Sequence, residues 1–162
     1  MSTRSTNSEI YRMNANGSSV INISKSKADN GSPKWSPDEK QIIYVEDNAK
    51  GGSDIIVIDA NGANRKVLIS SANELRNVAF SKDGHKIAYS LVDGKYGDLM
   101  IADADGRNAK KLKTISKWSR VSFSSNNKSI AFVTKNNRIA TIRLDGTNYK
   151  ELTSGIDPVW SY

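Results

Sequence analysis

Apolar and polar residues alternate along this chain in short runs, and the runs come in pairs. Ile42 and Tyr44, Ile87 and Tyr89, and Ile130 and Phe132 recur at every second position, the period of a strand with one buried face. No stretch of ten or more residues spaces its apolar positions as a helix would, so the pattern predicts an all-β chain.

Four segments fall into register: SEIYRMNANGSSVINIS from Ser8, SDIIVIDANGANRKVLIS from Ser53, GDLMIADADGRNAKKLKT from Gly97 and NRIATIRLDGTNYKELT from Asn137. Each is a β-rich run, an Asn-Gly or Asp-Gly pair and a second β-rich run, and so reads as a hairpin. The pair predicts a two-residue type I′ turn, whose central residues both need positive φ. The turn glycines Gly17, Gly62, Gly106 and Gly146 recur about every 40 to 45 residues, a spacing typical of four-stranded propeller blades.

A second set of hairpins interleaves with the first: SPKWSPDEKQIIYVE from Ser32, LRNVAFSKDGHKIAYSL from Leu75 and SRVSFSSNNKSIAFVT from Ser119, with IDPVWSY closing the chain. Each full repeat thus holds four strands, A and B from the aromatic-Ser hairpin and C and D from the Gly-turn hairpin. One such sheet cannot bury both of its faces, so repeats must stack, and four-stranded repeats stack around an axis as blades. Trp35, Phe80, Phe123 and Trp160 are expected to wedge between neighbouring blades.

The stretch PKWSPDEKQIIYVEDNAKGGSDIIVIDANGANRKVLI, from Pro33, resembles the TolB-type (WD-like) propeller repeat, and the likeness extends over nearly the whole chain. Glu39 stands where that pattern has Gly, FSKDGHK lacks its Pro, and FSSNNKS lacks both. The expected domain is a single propeller or partial propeller over 1–162. Its repeats run approximately 1–31 (strands C and D only), 32–74, 75–117, 118–154 and 155–162 (strand A only), making about three complete blades plus a split blade formed by the two termini. Residues 2–7 resemble the loop that leaves a strand B, so the two ends are expected on either side of one absent strand. Open blade faces and unpaired edges favour association. A homo-oligomer is therefore expected, with Glu9–Ile23 of one copy near Asp157–Tyr162 of another, two copies making a ring of roughly eight blades.

Composition narrows the chemistry. Cysteine is absent, which removes disulfides, thiol nucleophiles and cysteine-held metals. No apolar run is long enough for a membrane-spanning helix and no secretory leader is visible, so insertion into a membrane is not expected and the compartment stays open. The formal charge is +7, from 24 basic and 17 acidic residues. The lysines are scattered through turns, without a groove-reading helix or a repeated stacking platform, so a solvated surface is expected rather than a nucleic-acid partner.

Catalytic constellations are missing. His85, the only histidine, sits in the turn KDGHK with no base or nucleophile at motif spacing. The run DADGRN at Asp103–Asn108 places Gly106 fourth, not sixth as an EF-hand loop requires, and reads as a turn. The expectation is a non-enzyme with no cofactor, metal or catalytic residue. What varies from repeat to repeat is the loop rim, made by the B–C loops EDNAKGGS and VDGKYGD and the D–A loops SKSKADNGS and ISKWSR, all on one side of the ring. Asp47, Lys50, Tyr96, Lys117, Trp118 and Arg120 are the candidate binding residues there, since Trp, Tyr and Arg are the side chains that anchor interfaces.

The resemblance implies an interaction module that binds a protein or peptide at this rim or in the channel. TolB-type repeats occur in periplasmic or cell-surface proteins that engage other proteins, and also beside hydrolase domains. Two alternatives remain: a structural, self-assembling propeller fragment with no dedicated ligand, and the accessory propeller of a hydrolase encoded elsewhere.

Overall fold

The computed structural model describes residues 7–160, and among them there is no α-helix. Strands β1 (Tyr11–Arg12) and β2 (Ile21–Asn22) form a two-stranded sheet. Three four-stranded sheets follow. The first holds β3 (Asn30–Trp35), β4 (Gln41–Asp47), β5 (Ser53–Asp59) and β6 (Lys66–Ser71). The second holds β7 (Glu74–Phe80), β8 (Lys86–Asp93), β9 (Tyr96–Asp103) and β10 (Lys110–Ser116). The third holds β11 (Ser122–Phe123), β12 (Ser129–Val133), β13 (Arg138–Arg143) and β14 (Lys150–Ser154). Sequence neighbours are sheet neighbours and every pairing is antiparallel, so the fold is all-β and its units are propeller blades.

The core lies between blades. Ile43, Val45 and Ile55 of the first full blade meet Leu75, Val78, Ile87 and Tyr89 of the next. Ala88, Leu99, Ile101 and Ile115 in turn meet Phe123, Ile130, Phe132, Ala140 and Ile142. Ile10 and Ile23, which flank the two-stranded sheet, cover Ile42, Tyr44, Ile56 and Ile58. The period of two therefore does not mark a half-buried strand. Ile42, Ile43, Tyr44 and Val45 are all buried, because a blade stands on either side of β4 and each face of the pleat has its own partner.

Two further expectations are corrected. In the C–D hairpins the glycines take positive φ, but Asn16, Asn61, Asp105 and Asp145 do not. The turn is a three-residue loop rather than type I′: in the first full blade Gly62 N–H donates to Asp59 O at 2.8 Å and Asp59 N–H to Ala63 O at 3.0 Å. This is a type I turn followed by one left-handed glycine. Asn61 keeps an ordinary φ because its Oδ1 accepts the Ala63 amide at 2.9 Å, a side-chain turn that needs no left-handed residue. The second correction concerns the aromatics. Phe123 is buried in the cluster shared by the last two blades and Phe80 packs against the preceding one, but Trp35 is 48% exposed. The sheet ahead of it has only two strands, and the indole is left in an open groove that it shares with Tyr11, Arg12 and Met13.

The segment expected as a strand A at Asp157–Tyr162 forms no ladder over its described residues 157–160, and Ser161 and Tyr162 lie outside them. A strand needs a neighbour to complete its hydrogen bonds, and among the described residues no strand B adjoins this one. Trp160 is nonetheless placed near the inner edge of the last blade, its N–H 3.4 Å from Ser122 Oγ.

Candidate binding site

The B–C and D–A loops share one end of the blades and are fastened to each other. Asn48 Nδ2 donates to Ser71 O at 2.8 Å, and Ser53 N–H to Asn73 O at 3.2 Å. Gly52 makes the approach possible: a Cβ there would stand 2.3 Å from Ser71 O, which only the loss of the side chain avoids.

The inner strands β3 and β7 bulge at this end. Their registers shift between Gly31 and Lys34 and between Arg76 and Ala79, with Ser32 at φ 55 and Asn77 at φ 54. A bulge re-aims side chains and frees them from the ladder. Ser32, Asn77, Arg120 and Asp157 each stand three residues before a ring aromatic, and these equivalent positions come together in the structure. They line a cavity of about 420 Å³ together with Val78, Val121 and Val159. Asn77 Nδ2 donates to Ser119 O at 3.0 Å, and Arg120 Nη1 pairs with Asp157 Oδ2 at 3.1 Å, so polar contacts tie neighbouring blades together here.

A second cavity of about 470 Å³ opens beside the first, at the rim. It is lined by Asp29, Asn30, Asp47, Glu74, Arg76, Trp118 and Arg120 among others. Trp118 is 64% exposed. The Arg76 guanidinium stacks 4.3 Å from its ring centroid and also pairs with Glu74, a geometry in which planar cation and indole attract. Burial pushes the Asp47 carboxyl above the usual carboxylate range, and the neighbouring Asp29 and Glu74 charges add to the effect.

Of the six residues expected from sequence, Asp47, Trp118 and Arg120 line this cavity. Lys117 reaches the same indole, its ammonium 5.1 Å from the ring centroid. Lys50 and Tyr96 do not belong to the cavity. Lys50 lies in the β4–β5 loop with its N–H on Asn48 Oδ1, and Tyr96 is covered by Lys95 at 5.5 Å. Sequence reasoning missed Asp29, Asn30, Glu74, Arg76 and Asn77. For Asn77 the signal was present, since it occupies the repeat position of Arg120. For Arg76 and Glu74 there was none, because their approach to Trp118 depends on how one blade packs on the next.

His85 lies in the β7–β8 turn, at the opposite end of its blade, with its N–H on Asp83 Oδ1 at 3.0 Å. Among the described residues no group of three His, Cys, Asp or Glu side chains is placed to hold a metal ion, and no helix is long and apolar enough to cross a membrane.

Comparison with known proteins agrees with the architecture. The family model described as the TolB beta propeller domain matches residues 1–119. No match was found among curated proteins. Among solved structures the chain is similar to TolB from Acinetobacter baumannii, with TM-score 0.77 and 21% identity over 88% of this chain and 37% of that one. It is also similar to a chain in a nidogen/laminin complex, with TM-score 0.74 and 17% identity over 95% of this chain and 60% of the other. A putative TolB from Agrobacterium tumefaciens gives TM-score 0.72 and 19% identity over 90% and 55% of the two chains. This chain therefore spans between about a third and three fifths of the length of these structures.

Proposed function

The chain belongs to the TolB beta propeller domain family, and from that premise we propose that it is a non-enzymatic interaction module which binds a protein or peptide segment at the loop rim and channel mouth. One observation carries this reading. An indole that is 64% exposed stands over a 470 Å³ cavity whose wall holds a second arginine and several carboxylates. Exposed Trp beside Arg in a concave site is the composition of interface anchors. A chain of similar fold takes part in a nidogen/laminin complex, in keeping with such a use.

Selection of random peptides on the immobilised chain tests the proposal. Peptides recovered at the rim should lose at least tenfold in affinity with Trp118→Ala and hold their affinity with Lys50→Ala. Peptides that bind both variants alike would remove the rim from consideration.

A second reading, self-association that completes a ring, is favoured by a different observation. Tyr11, Met13 and Trp35, respectively 58%, 64% and 48% exposed, border one groove between the two-stranded sheet and the first full blade. The two readings are compatible, since the groove and the rim cavity lie on different parts of the molecule.

A further inference from the structure

The cavity beneath Trp118 is unequal in its hydrogen bonding. Its cations are engaged: Arg76 is paired with Glu74 and stacked on the indole, and Arg120 is paired with Asp157. Its amide donors are engaged as well. Asn77 Nδ2 donates to Ser119 O, and Asn30 Nδ2 donates to Ser8 O at 3.0 Å and Ala28 O at 2.8 Å. The acceptors differ. Asn30, only 7% exposed, lines this cavity with an enclosed Oδ1 that no donor reaches among the described residues. An acceptor left so is costly unless something donates to it.

The charges point the same way. Asp29, Asp47 and Glu74 line the cavity with Arg76 and Arg120, and Arg120 is already neutralised by Asp157. Asp29 takes the Ser8 N–H at 2.7 Å. No side-chain or backbone donor reaches the Asp47 carboxylate among the described residues, although it stands close enough to Asp29 and Glu74 to feel both charges. On a chain of formal charge +7 this cavity is a locally acidic spot with unused acceptors.

We propose that the cavity takes a cationic donor group, the ammonium of a lysine or the guanidinium of an arginine carried by the bound segment, with Asp47, Asp29 and Asn30 as acceptors and the Trp118 indole alongside. This rests on the reading of the rim as a peptide-binding surface and names what that surface selects. An incoming guanidinium or ammonium supplies several N–H donors and the missing charge at once.

The test titrates the chain with three capped heptapeptides, Gly-Ser-Arg-Gly-Ser-Arg-Gly and its counterparts with Gln or Glu at both Arg positions, following the Trp118 indole N–H by NMR after assignment with Trp118→Phe. The Arg peptide should shift that resonance, and both Asp47→Asn and Asp29→Asn should weaken it about fivefold to tenfold, the scale of a partly exposed charge-assisted contact. Asp105→Asn, which removes the same charge from a distant turn, should change nothing. The net charge of the molecule favours the Glu peptide, so a preference for Arg isolates the cavity. Equal or tighter binding of the Gln or Glu peptide at Trp118 would overturn the cation preference and leave the rim as a binding surface. Asp47→Asn and Asp29→Asn without effect on Arg-peptide binding would overturn the assignment of the acceptors. A Trp118 resonance that none of the peptides moves would overturn both readings.

Discussion

Glu39 is the residue at which this chain departs most clearly from its own repeat. The equivalent turn positions hold Gly84 at φ 74 and Asn127 at φ 54, and Glu39 adopts φ 58 all the same. The Ser36 carbonyl still accepts the Glu39 N–H at 2.9 Å, so the hairpin dictates the dihedral and the side chain complies. A left-handed conformation costs a residue with a Cβ about 1–2 kcal/mol, of which glycine's extra freedom in the unfolded chain returns a part. Glu39→Gly should therefore stabilise the protein by about 0.5–1 kcal/mol, read as a higher urea midpoint with an unchanged slope. A lower midpoint would mean that the glutamate side chain makes a contact worth more than the strain. The departure was legible from sequence; that the backbone keeps the glycine conformation was not, since φ depends on the closing hydrogen bond.

At the scale of the element, the A–B hairpin is held by a serine that follows the ring aromatic. Ser81 is fully buried; its Oγ accepts the Lys86 N–H at 2.9 Å and donates to Asp83 Oδ1 at 2.6 Å. Ser36 with Asp38 and Ser124 with Asn126 repeat the arrangement. The hydroxyl bond is the largest cause that holds the Asp83 carboxyl below its ordinary value, followed by the His85 amide; the Ser36 hydroxyl acts in the same way on Asp38. A carboxyl whose pKa is lower folded than unfolded contributes stability above its unfolded value of 3.8 and loses it as pH falls through the folded value. Stability should thus decline below about pH 4. Ser81→Ala should cost about 1–3 kcal/mol at neutral pH, because the Lys86 amide is left without its acceptor, and should make the acid decline shallower. An unchanged acid limb in thermal melts would show that Asp83 is not held by this hydroxyl. The motif Trp-Ser-Pro-Asp announced the hairpin. The same reasoning went astray at the C–D turns, where Asn-Gly suits either of two loop lengths and the register of the flanking strands chooses.

At the scale of the whole molecule, the described residues leave two sides open. On one, Tyr11, Met13, Val20 and Trp35 are exposed around β1 and β2; on the other, Ile156 and Val159 are 78% and 80% exposed. A two-stranded sheet is marginal by itself in water, and apolar surface of this kind is normally covered. The proposed self-association predicts that the 162-residue chain runs as a dimer or larger particle at micromolar concentration, and that Trp35→Ser lowers the particle mass. Light scattering that returns a monomer for the unsubstituted chain would end this proposal.

The sequence by itself determined the strands, their pairing into hairpins and the stacking of blades, because a period of two inside a period of about 40 to 45 residues specifies both a strand and its repeat. It also placed the binding candidates on one rim, since successive antiparallel connections alternate ends. Tertiary structure decided what those candidates do together. Lys50 and Tyr96 share the rim with Trp118 but not its cavity, whereas Arg76, from the inner strand of the neighbouring blade, stacks on the indole. A repeat pattern fixes contacts within a blade, where neighbours are set by register. Contacts between blades depend on bulges, twist and side-chain reach, and no spacing along the chain encodes those distances.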